Sequence, residues 1–82
     1  MTPDQCRAGR GWLDWTQDVL ASVSGVSLST VRDYEKGRRI PTANNLKAIR
    51  AALESAGIGF VADGDGRACA ITFSLPDLID RH

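Results

Sequence analysis

The chain has 82 residues, with ten basic and ten acidic side chains and a formal net charge of zero at pH 7. That length suits one domain with a modest core, since so short a chain buries only about 60–65% of its unfolded surface. No apolar run approaches the roughly 20 residues of a membrane span, and the only histidine is His82, which leaves no ordinary arrangement for His-based catalysis.

The chain enters its first predicted helix, about residues 3–13, almost at once. Thr2-Pro3-Asp4-Gln5 reads as a capping box with proline in the first turn, with no apolar leader before it. Cys6, Gly9 and Leu13 form its inner positions, with Arg10 between them. Gly9 and Gly11 stand where helix formers are expected, each costing about 1 kcal/mol relative to alanine. Cys6 and Cys69 are far apart and in no metal spacing, so Cys6 reads as a reduced core thiol and the chain as cytoplasmic. Trp15 is expected in the core and Trp12 half exposed.

Thr16 is placed to cap a second helix, about 17–23, with Val19, Leu20 and Val23 as its inner face. Ala21 is small where two helices must cross closely. Gly25 suits a sharp turn with positive φ, and Val26 is an apolar plug behind it. Ser27 then caps a third helix, about 28–36. Val31 and Tyr34 face inward, and Leu28, Ser29, Arg32, Asp33 and Lys36 share the opposite face. Gly37 ends this helix. A basic loop, 37–42, closes at Pro41. Thr42 caps a fourth helix, about 43–56, whose face is Leu46, Ile49, Ala52 and Leu53, and Gly57 stops it.

Beyond Gly57 the period shortens from 3.6 to 2. Ile58, Phe60 and Ala62 alternate with their neighbours, Asp63-Gly64-Asp65-Gly66 is a turn signal, and Cys69, Ile71 and Phe73 alternate again. This predicts a β-hairpin, followed by a tail with Leu75, Leu78 and Ile79. The hairpin has two readings. It lids the helical core, or it pairs with its copy in a second chain, for which strand edges offer open backbone groups.

The zero net charge conceals an uneven distribution. Arg32, Lys36, Arg38, Arg39, Lys47 and Arg50 stand against only Asp33 and Glu35 in residues 32–50, and Asp63, Asp65, Asp77 and Asp80 gather near the end. Two short helices about a glycine turn, with a basic stripe beside the second, form the layout of a DNA-binding helix-turn-helix. Enzymatic patterns fail on context. Gly64 and Gly66 have no helix after them to make a nucleotide loop, and Asp63 and Asp65 lack the remaining ligands of a calcium loop. No catalytic residue, metal site or cofactor is expected.

The runs Thr16-Gln17-Asp18-x-Leu20-Ala21, Gly25-Val26-Ser27 and Thr30-Val31-x-x-Tyr34-Glu35-Lys36-Gly37-Arg38-Arg39-Ile40-Pro41-Thr42 resemble the Cro/cI-like, or XRE, family of helix-turn-helix regulators. With Leu46, Ile49 and Leu53, the resemblance spans roughly residues 2–57. It implies a mainly α, four-helix, lambda-repressor-like DNA-binding domain over 1–57. Residues 58–82 then form a hairpin and tail used for dimerisation. It implies a homodimer on a pseudo-palindromic operator, acting as a repressor or autorepressor. Gln17 resembles the family's phosphate- and base-contacting glutamine. Ser27, Ser29 and Arg32 would lie at or near base edges, with Leu28 on a thymine methyl. Lys36, Arg38, Arg39, Thr42 and Asn44 would hold phosphates. An arginine in helix 1 commonly pairs in this family with a glutamate ending helix 3, which here means Arg10 with Glu35. Phe60, Ile71, Phe73, Leu75, Leu78 and Ile79 are the expected dimer interface. Two alternatives stay open: an autoregulating antitoxin whose hairpin or tail binds a toxin, and a protein-interaction module that has lost DNA binding.

Overall fold

A computed structural model describes residues 1–62 and 68–73. The Asp63–Gly66 turn and the tail residues Leu75, Leu78 and Ile79, together with His82, lie outside the described residues. The element order is α1 (Pro3–Trp12), α2 (Gln17–Ser24), α3 (Leu28–Glu35), α4 (Ala43–Ser55), β1 (Ile58–Ala62) and β2 (Ala68–Phe73). The fold is therefore mainly helical with a C-terminal antiparallel hairpin.

Each helix begins where a side-chain hydroxyl satisfies an orphan backbone N–H. Thr2 Oγ1 accepts from the Gln5 N–H and Gln5 Oε1 from the Thr2 N–H, completing the capping box. Thr16, Ser27 and Thr42 cap α2, α3 and α4 through the N–H groups of Val19, Thr30 and Asn45. Gly25 ends α2 at φ 74°, in the left-handed region that a side chain rarely adopts.

The core joins Cys6, Leu20, Ala21, Val26, Val31, Tyr34, Ile49, Ala52, Leu53 and Ile58. Leu13, Trp15, Leu28 and Leu46 pack partly buried against it. Trp12 is 60% exposed. Val19 and Val23 depart from expectation at 39% and 52% exposed. The reason is geometric. On a helix of only two turns the buried arc is narrow, and Leu20 and Ala21 occupy it. Leu28 likewise does not stand clear on the outer face of α3 but leans half-buried onto the core.

In the hairpin Ile58 pairs with Phe73, Gly59 with Thr72, Phe60 with Ile71 and Val61 with Ala70, before an irregularity at Val61/Ala62. One face lids the helices. Ile58 is fully in the core, while Phe60, Ile71 and Phe73 pack on it half-buried. The lid fits α1 closely. A Cβ on Gly9 would stand 3.2 Å from Ile58 Cγ2, so the helix-weakening glycine gives the strand its seat. Gln5 fastens the hairpin, its Nε2 donating to the Val61 carbonyl at 3.0 Å and to the Ala70 carbonyl at 2.7 Å. The opposite face carries the exposed Val61, Ala70 and Thr72.

Candidate nucleic-acid interface

The candidate interface grows from the α2–α3 turn. Gly25, Val26 and Ser27 join the two helices, and the buried Val26 pins the turn to the core. With Val31 and Tyr34 buried, α3 turns Ser29, Arg32 and Lys36 outward, all exposed, with Asp33 half-buried among them. Ser27 Oγ accepts the Thr30 N–H and lies 3.3 Å from Ser29 Oγ. The capping serine and the first outward serine therefore form one polar edge at the start of α3.

The basic loop is folded back against the end of this helix. The Gly37 N–H donates to the Tyr34 carbonyl at 3.0 Å and the Arg38 N–H to the Asp33 carbonyl at 2.9 Å. Arg38 and Arg39 are exposed beside Lys36, and Pro41 is buried, so the loop is anchored at both ends. Thr42 and Asn44 follow at the exposed start of α4. The sequence-predicted contacts Ser27, Ser29, Arg32, Lys36, Arg38, Arg39, Thr42 and Asn44 are thus all exposed, distributed along α3, the loop and the first turn of α4. Arg50, counted in the basic stripe, has other neighbours. It pairs with Glu54 at 3.1 Å and lies over the Phe60 ring at 5.3 Å.

The orientation of α3 is held by a buried carboxylate. Glu35, its last residue, is 2% exposed. Arg10 grips it with both ends of the guanidinium, Nε to Oε2 at 2.9 Å and Nη2 to Oε1 at 2.8 Å. Arg10 Nη1 also donates to the Trp15 carbonyl at 2.9 Å, tying in the α1–α2 connection. Gln17 Nε2 donates to Glu35 Oε1 at 2.9 Å, and the Cys6 thiol to Oε2 at 3.3 Å. The Arg7 guanidinium donates to the Glu35 backbone carbonyl. Burial by itself would raise the Glu35 carboxyl. The hydrogen bonds from Arg10, Gln17 and Cys6, with the Arg10 charge, outweigh it and hold the group below its ordinary range. The Glu35 hydrogen bond in turn raises Arg10, while burial and then the Glu35 charge keep the Cys6 thiol protonated well above the usual thiol range. Burial, with the Glu35 charge behind it, pushes the Tyr34 hydroxyl up to about 12, and that hydroxyl donates to the Met1 carbonyl at 3.1 Å.

The Arg10–Glu35 pair is the one implied by the resemblance. The part played by Gln17 is an addition. Its amide is half-buried against Glu35, so the expected DNA contact at the start of α2 is physically linked to the end of α3. Nothing in the spacing of Cys6 or Gln17 announces a hydrogen bond to Glu35; only the crossing of three helices brings them together.

The helix-turn-helix family profile (HTH_3) matches residues 7–56, more than half of the chain. The chain belongs to the XRE-type family of DNA-binding helix-turn-helix regulators. The matched span begins in α1 of the regulator and ends just past α4, so it holds every residue of the candidate interface and leaves the hairpin outside. No curated protein matches the regulator significantly. No helix among the described residues is long and apolar enough to cross a membrane.

Proposed function

We propose that the regulator binds a pseudo-palindromic operator as a homodimer and represses transcription, its own gene included. The observation that carries this reading is the outward face of α3, Ser29, Arg32 and Lys36, continuous with the anchored basic loop at Arg38 and Arg39. The start of α3 enters the major groove, where Ser27, Ser29 and Arg32 meet base edges. Leu28 offers its exposed part to a thymine methyl. Gln17, Lys36, Arg38, Arg39, Thr42 and Asn44 hold phosphates on either side. The second copy is recruited through the hairpin and tail, with Phe60, Ile71, Phe73, Leu75, Leu78 and Ile79 in or beside the contact. A single helix-turn-helix makes few base contacts, and two copies one helical turn apart double the sequence read.

An electrophoretic shift on the DNA upstream of the gene, titrated against unrelated DNA, tests the reading. Retardation of the upstream fragment at protein concentrations that leave random DNA free is the expected result. Equal retardation of both fragments means binding without an operator and removes the repressor reading.

A further inference from the structure

Asp33 is the one residue of the outward α3 face to which the proposed operator binding gives no contact. It lies one helical turn after Ser29 and one before Lys36. No ion pair among the described residues includes it. It stands in the last turn of α3, where the helix dipole disfavours an anion. Its carbonyl accepts the Arg38 N–H at 2.9 Å, which places it at the joint between the reading face and the phosphate-binding loop. On a bound duplex a carboxylate at that joint would meet a phosphate surface that repels it. A favourable partner in the groove must be a hydrogen-bond donor, and the major groove offers two, cytosine N4 and adenine N6. Adenine sets the acceptor N7 beside its amino group, which repels an acceptor-only carboxylate, whereas cytosine sets a C–H there.

We propose that Asp33 is a specificity-determining residue that accepts a hydrogen bond from a cytosine amino group in each half-site. The assignment rests on the reading of α3 as the groove-entering helix. Ser29 lies about 6 Å earlier along the same face, so the cytosine falls one to two base pairs from the Ser29 contact. The carboxylate repels the wrong bases and the correct one neutralises that repulsion, so Asp33 acts by discrimination more than by affinity.

Selection of binding sites from randomised duplexes, with the wild type, Asp33→Asn and Asp33→Ala, tests this. Circular dichroism confirms that each variant keeps its fold. The wild type is expected to favour C·G by roughly tenfold or more at one position per half-site. Asp33→Asn should turn that position to A·T, because an amide donates to adenine N7 and accepts from N6. Asp33→Ala should lose the preference there and leave the other positions unchanged. If both variants keep the wild-type consensus and bind all duplexes more tightly, Asp33 is only a repulsive charge and the assignment is wrong. If the wild type selects no consensus at all, the groove-entering role of α3 falls, and this assignment with it.

Discussion

Glu35 is the residue on which the placement of α3 turns. A buried carboxylate is tolerated only when its lone pairs are filled, and here Arg10, Gln17 and Cys6 fill them. Such an ion pair specifies geometry more than it adds stability, yet removing one partner strands the other. Arg10→Ala should therefore lower stability by about 3–5 kcal/mol in urea unfolding. A loss under 1 kcal/mol would mean that Glu35 is hydrated or protonated in the folded chain. The acid limb follows from the direction of the shift. The folded Glu35 carboxyl lies below its ordinary value of 4.5, so the unfolded chain binds its proton more tightly. Its contribution is present above that value and is lost as the pH falls through the lower folded value. Glu35→Gln should be less stable than the wild type at pH 7, and the gap between them should narrow from about pH 5 downward. A gap that stays constant to pH 2 contradicts a depressed carboxyl. The Arg10–Glu35 pair was legible only through the family resemblance, which implies an arginine in helix 1 paired with a glutamate ending helix 3. Cys6 and Gln17 were not, because a hydrogen bond across three helices leaves no spacing signal.

At the scale of elements, most boundaries were written in the caps. Thr2, Thr16, Ser27 and Thr42 each precede a helix in the sequence, and each caps one in the structure. Burial was harder to read where helices are short. Val19 and Val23 fit an apolar periodicity, but two turns of α2 present only a narrow arc to the core. The glycines of α1 show the same limit. Both weaken the helix on intrinsic propensity, and only the packing separates them. A Cβ at Gly11 meets nothing within 4 Å, whereas at Gly9 it meets Ile58. Gly11→Ala should therefore raise stability by about 0.5–1 kcal/mol. Gly9→Ala should gain less than that or lose stability, since Ile58 must shift to admit the methyl. Equal gains in urea midpoint from both substitutions would show that the α1–β1 seat is loose. Gln5 holds the same seam, so Gln5→Ala should cost about 1–3 kcal/mol through two orphaned carbonyls. Faster hydrogen exchange should then appear in β1 and β2 before α4.

For the whole molecule, the decisive quantity is where charge and apolar surface lie, since net charge says nothing of a protein that is neutral overall and locally basic. Arg38 and Arg39, exposed on an anchored loop, displace counterions from any duplex they reach. Arg38→Ala with Arg39→Ala should weaken binding to all sequences and flatten the salt dependence by roughly one to two units. Binding equal to the wild type at every salt concentration would take the loop out of the interface. The second whole-molecule question is assembly, and here the lid constrains the proposed dimer. Phe60, Ile71 and Phe73 already rest on the chain's own core, so Ile71→Asp should lower the urea midpoint as well as weaken association. Val61, 37% exposed on the other face, separates the two effects. Val61→Lys should leave the midpoint within about 0.5 kcal/mol of wild type, as surface substitutions do. If the outer face and strand edges form the contact, it should also shift sedimentation toward monomer. The same variant should bind an operator with two half-sites no more tightly than one with a single half-site. Inserting five base pairs between the half-sites gives the independent check. It turns one copy about half a helical turn away from the other, so the wild type should lose its cooperative binding while each half-site keeps its own affinity. Cooperativity unchanged by the insertion, in a wild type that sediments as a monomer, would remove the hairpin-joined dimer.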